Sequence, residues 1–255
     1  MARFYILFLS FFLAISLVSA QTPDSTKSIT NFSGSVGITN NGFSIIPAFS
    51  LNSPAILTNL AWRKKRISIE PDFRLVPNAT KGSMLCWLRY RLVNNKNFGL
   101  RVGVHPAFSF IRRKDTENGV TNDITEMLRF ASIEVVPSYQ VSKKFGVSAM
   151  YLKGHGFQKS GPQNSNALFL NTAITNIGLS KNLRLNLFPS IFFIRMDSYH
   201  GGYFTATGVL AHKKLPFSIS STINQTIKTE LPGNKNFMWN VGLNYNFRKT
   251  LIRLN

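Results

Sequence analysis

The segment FGLRVGVHPAFSF, residues 98–110, places Phe98, Leu100, Val102, Val104, Pro106, Phe108 and Phe110 on one parity. Gly99, Arg101, Gly103, His105, Ala107 and Ser109 fall on the other. Successive side chains of a strand point to opposite faces, so this is a β-strand with one apolar and one polar face. The same alternation runs through RISIEPDFRL (66–75), LPFSISSTINQTI (215–227) and NFMWNVGLNYNF (236–247). No comparable stretch of 3.6-residue period follows the N-terminal segment, which makes the chain all-β.

Connections between these strands alternate in length. Short basic or Asn-rich turns sit at Lys64-Lys65, Asn94-Asn95-Lys96, Ser142-Lys143, Lys181 and His212-Lys213. Longer polar segments occupy 77–82, 112–124, 154–165, 197–200 and 228–235. That rhythm predicts a closed antiparallel up-and-down transmembrane β-barrel of about twelve strands, with ten or fourteen as the alternatives. Eleven strands are read at 55–63, 66–76, 83–93, 97–111, 125–141, 144–153, 166–179, 182–196, 201–211, 214–227 and 236–247. The twelfth is expected from FSIIPAFSL at 43–51, leaving FSGSVGIT at 32–39 to extend it or to tuck into the lumen. Bulges are expected at the in-strand prolines Pro71, Pro106, Pro137 and Pro189, because each removes a ladder donor.

Arg3, the apolar run that follows it and the small residues Val18-Ser19-Ala20 read as a secretory signal peptide over 1–20, cut near Ala20. Residues 21–41 then form a periplasmic segment or the start of the first strand, 42–247 the barrel, and 248–255 a periplasmic tail. Removing the signal takes away only Arg3 from a chain with 30 Lys+Arg and 10 Asp+Glu. In an exported protein, such a charge favours phosphate-bearing lipid headgroups or anionic solutes over nucleic acid. The lone Cys86 excludes an internal disulfide.

Alternation alone also suits a soluble periplasmic sandwich or ligand-binding barrel, whose apolar face points inward. Three features favour the membrane. Lysines gather in turns, while the polar faces favour Gly, Ser, Thr and Asn. Aromatics collect near strand ends on the apolar parity, giving a girdle of Trp62, Tyr90, Tyr139, Tyr245 and Phe247. A closed barrel also leaves no unpaired edge in lipid.

On these residues the chain resembles the small outer-membrane β-barrel proteins of Gram-negative bacteria over roughly 32–247. The resemblance implies a monomer in the outer membrane, assisted by the barrel-insertion machinery, but no single activity. The residues RKTLIRLN after Phe247 depart from the usual aromatic finish.

With the apolar parity outward, the lumen receives Arg66, Glu70, Asp72, Arg74, Arg89, Arg91, Arg101, His105 and Glu134, together with Glu126 and Arg184. These charges read either as an ion-paired filling or as a constriction whose arginine excess favours anions. The basic residues Arg112, Arg113, Lys114, Lys153 and Lys159, with Lys228 and Lys235, would ring the outer rim near anionic lipid. No nucleophile–base pair emerges, since His105 and Ser109 are about 13 Å apart along a strand. Scattered histidines give no metal-ligand spacing, and no cofactor is implied. The expected function is therefore a narrow pore or a structural surface protein, not an enzyme. A soluble ligand-binder is the alternative, and a lipid-modifying enzyme the more remote one.

Overall fold

The computed structural model of the protein describes residues 28–44, 46–117 and 120–253. Residues 1–27, which include the expected signal peptide, lie outside the described residues. The compact body is Thr30–Leu251.

Twelve strands form one closed antiparallel barrel. They are β1 (Ser28–Thr39), β2 (Ala55–Lys64), β3 (Ile67–Leu75), β4 (Lys81–Asn94), β5 (Phe98–Glu117), β6 (Val120–Gln140), β7 (Phe145–Gly156), β8 (Asn164–Gly178), β9 (Leu183–Met196), β10 (Tyr199–His212), β11 (Phe217–Thr229) and β12 (Phe237–Arg253). Each pairs with its sequence neighbours, and β1 meets β12 to close the sheet. Five tight turns share one end of the barrel, the turn end, with the start of β1 and the end of β12. The six remaining connections occupy the loop end.

The alternation translates into two faces. Ile67, Ile69, Phe73, Val104, Ile219, Trp239 and Leu243 are exposed on the outer wall, whereas Ser68, His105, Glu134, Ser218, Asn224 and Asn240 are buried on the inner one. The greasy face is outward. Along β12, ten residues separate the outward Phe237 from Phe247, about 33 Å of strand. At a tilt of about 40° that gives roughly 25 Å of apolar height, the thickness such barrels present to a bilayer.

Two strand assignments change. The first strand is β1, Ser28–Thr39, so FSGSVGIT is wall and not spare chain. Its partner register, Thr30↔Lys64 through Thr39↔Ala55, leaves residues 40–54 as the β1–β2 connection. FSIIPAFSL therefore folds as a loop around a short 3-10 turn at Pro47–Phe49. At the other terminus β12 continues past Phe247 to Arg253, and Thr250 Oγ1 hydrogen-bonds Asn31 Oδ1 across the closing seam, 3.0 Å apart.

The prolines do not produce bulges. Pro71 keeps its pairing with Cys86 on β4, while the β2–β3 ladder skips two pairs and resumes in the same register. Pro106, Pro137 and Pro189 likewise stay paired on one flank and interrupt the other. An antiparallel residue donates to one neighbour only, so a missing N–H opens a single ladder. Register shifts occur elsewhere, at Arg91/Val93, Ile174/Ile177 and Gly202/Tyr203.

Candidate lumenal site

Five adjacent strands, β2 to β6, build a charged inner wall. Arg63 donates from Nη2 to Glu70 Oε1 at 2.9 Å, and Arg89 pairs with the second Glu70 oxygen. Arg89 Nε also donates to Glu134 Oε1 at 2.6 Å, and its Nη2 to Oε2 at 3.2 Å. Arg101 Nε lies 3.3 Å from Glu134 Oε1. Asp72 takes a 3.0 Å bond from Arg74 Nε. The Glu134 carboxylate is fully buried, and a buried carboxylate requires such partners. Room for it comes from Gly103, where an added Cβ would stand 2.9 Å from Glu134 Oε1 and 3.0 Å from Arg89 Cγ.

Trp87 anchors the middle of this wall. The Arg89 guanidinium sits 4.1 Å from its ring centroid, and the buried His105 ring lies 3.8 Å away at 45°. Four arginines (Arg63, Arg74, Arg89 and Arg101) thus meet three carboxylates (Glu70, Asp72 and Glu134), so the paired set keeps a positive balance. The network borders a lumenal cavity of about 440 Å³, completed by Ser33, Ser35, Asn59 and Asn246. A second cavity of about 580 Å³ lies at the turn end, where inward Gly99, Ser138, Gly146, Ser148 and Asn171 contribute to its lining.

Across the barrel, the middle of the inner wall is built from neutral polar side chains. Ser190 Oγ donates to Asn171 Oδ1, the Thr207 and Thr222 hydroxyls pair, and Asn244 Nδ2 donates to Ser220 Oγ. Toward the loop end this wall turns apolar on the inside. Phe169, Phe192 and Tyr203 stack at centroid spacings of 4.8 and 4.9 Å, with Ala167, Ile194, Met196 and Leu231 around them. The 40–54 loop covers them: Ile46 and Phe49 pack on the cluster, and Phe49 meets Phe130 of β6 edge-on at 5.4 Å. Arg74 Nη1 holds the loop by donating to the Phe43 carbonyl at 3.2 Å. The loop therefore reaches from the β2–β3 side across to β6–β10.

Of the charges expected in the lumen, Glu70, Asp72, Arg74, Arg89, Arg101, His105 and Glu134 share the inner wall. Arg66 does not: it occupies the β2–β3 turn, with its Nη1 3.5 Å from the Leu92 carbonyl. Arg91 is exposed beside the β4 register shift. Arg184 bonds Asn176 near the turn end, away from the network. Glu126 lies where β5 and β6 begin to outrun their neighbours, opposite Ile111 of the last β4 pair and beyond the last β7 pair at Phe130. The residues missed were Arg63, Trp87 and the apolar cluster.

The rim cations do not form one group. Arg112 and Lys114 lie on the projecting ribbon, which also carries Arg113 opposite Ile124; Lys153 stands on the outer wall of β7, and Lys159 lies in the β7–β8 loop. Trp62, Tyr90, Tyr139 and Tyr245 face outward near the turn end. Phe247 joins them, its ring 5.6 Å from Phe32 and 6.5 Å from Tyr245.

No protein-family model matches the chain, and none of the curated proteins is similar to it. Among solved structures it is similar to a KdgM porin, with a TM-score of 0.51 and 10% identity over 84% of this chain and 99% of that one. It is also similar to LpxR from Salmonella typhimurium (TM-score 0.48, 8% identity, 84% and 100% covered). A third is the CymD monoaromatic hydrocarbon channel (TM-score 0.43, 8% identity, 90% of each chain). The fold is that of the outer-membrane β-barrel proteins.

Proposed function

We propose that the chain is a monomeric outer-membrane barrel, exported through a signal peptide cut near Ala20, that acts as a narrow passive pore for small polar solutes with a preference for anions. The observation that carries this reading is the wall network of Arg63, Arg74, Arg89 and Arg101, which exceeds its carboxylates and borders an open cavity of about 440 Å³. A fixed positive balance in a low-dielectric tube attracts anions and repels cations. The network lies along adjacent strands of one wall and borders this cavity, which supports a path for solute beside the ion pairs. No catalytic role is assigned: His105 is buried against Trp87, and Ser109 stands four residues further along the strand.

A second reading, a closed structural barrel, is favoured by the 40–54 loop across the loop end. Planar-bilayer recording separates the two. Under a KCl gradient the pore should give discrete steps and an anion-preferring reversal potential. Arg63→Gln with Arg101→Gln should move that potential toward zero. Steps with unaltered selectivity would remove the arginines from the account, and silence would support the closed barrel.

A further inference from the structure

We propose that the outer wall of β7–β11, at the loop end, binds one phosphate-bearing lipid, its phosphate at the rim and an acyl chain against the wall below. This rests on the membrane placement above but not on conduction. A groove of about 670 Å³ opens there on the outside of the barrel. Its apolar surface is Tyr151, Leu168, Phe193 and Ile227, exposed by 42–60%. Gly202 occupies the outward position between Phe193 and Lys228 and contributes no side chain.

Polar groups gather only at the top of this groove. Strand register places Lys153, Asn166, Arg195 and His200 side by side on consecutive strands. Lys228 stands one step lower, opposite Gly202. Strands are about 4.8 Å apart, so Lys153 and Arg195 flank a gap of about 10 Å that both side chains can span. Arg195 is steadied by a 3.1 Å bond from Nε to the Asp197 carbonyl, and the Tyr151 hydroxyl donates to Asn166 Oδ1 at 2.8 Å. The single acid in the lining, Glu230, lies 3.7 Å from His200 Nδ1. Three permanent cations over one carboxylate fit a phosphate, and cations of this kind are tolerated on a lipid-facing wall only at its rim. A free phosphate would have no use for the apolar surface beneath, which selects the lipid as the source.

The test is native mass spectrometry of the full chain in dodecyl maltoside, titrated with dioleoyl phosphatidic acid. Every variant is first shown to migrate differently when boiled and unboiled. The wild type should retain one lipid, and Lys153→Gln/Arg195→Gln/Lys228→Gln should weaken retention at least tenfold. Gly202→Leu should weaken it with the charges intact: an alanine Cβ would sit 3.4 Å from the Phe193 ring, and a larger side chain must fill the groove. Arg112→Gln/Lys114→Gln/Lys159→Gln should change nothing. Equal retention by the first triple variant overturns the proposal. Full retention by Gly202→Leu, with displacement by inorganic phosphate, overturns the lipid in favour of a bare anion site.

Discussion

Glu134 shows how much a single residue asks of its neighbours. Its carboxylate is buried among Arg89, Arg101 and the space left by Gly103. Breaking a buried ion pair from one side costs about 3–5 kcal/mol, because the remaining charge stays desolvated. Glu134→Ala should lower the unfolding free energy by that order in urea titrations of the folded barrel. A loss below about 1 kcal/mol would mean water already reaches the arginines. Gly103→Val should act in the same direction by pushing Glu134 from Arg89. The sequence disclosed Glu70, Arg89, Arg101 and Glu134 as one group because each falls on the polar parity of a clean strand. It did not disclose Trp87. In MLCWLRYRL the arginines mark the inner parity, but Leu85 and Trp87 share it, and an apolar residue on a polar parity carries no sign of a site. Pairing with His105 and Arg89 becomes visible only once register is known.

At the scale of elements, the wall strands were readable and the loop that closes them was not. Strand β9 explains why. FPSIFFIRM puts Phe192, Ile194 and Met196 on one face and Ile191 and Phe193 on the other, so the strand is greasy on both sides. A wall segment apolar toward lipid and lumen alike must be covered inside, and FSIIPAFSL is the segment that covers it. Its alternation mimics a strand, but Pro47 has no N–H to give a ladder and opens the 3-10 turn instead. Ile46→Ser with Phe49→Ser should loosen the cover and raise single-channel conductance several-fold; unchanged current would place the constriction at the arginines. The turn-end aromatics form another element-scale device. Phe32, Phe247, Tyr245 and Phe217 run ring to ring around the β12 seam at 5.6–6.5 Å. Replacing Tyr245 by Ala should cost about 1 kcal/mol in bilayer-folded protein, read by urea unfolding in vesicles.

For the whole molecule, the decisive question is which way round the two-faced sheet closes. Strict parity is symmetrical, and only the whole set of faces breaks that symmetry: Gly, Ser, Thr and Asn with an ion-paired arginine wall on one, aliphatic and aromatic side chains on the other. A soluble barrel would hide the second set. Here it forms the exterior over a height of about 25 Å. Spin labels scanned one at a time along 238–247, in a Cys86→Ser background reconstituted into bilayers, test this directly. Labels at 239, 241, 243 and 245 should collide with oxygen and be shielded from a water-soluble nickel chelate. Labels at 240, 242, 244 and 246 should show the reverse. The opposite phase, with 239 to 245 wet and 240 to 246 shielded, would contradict it.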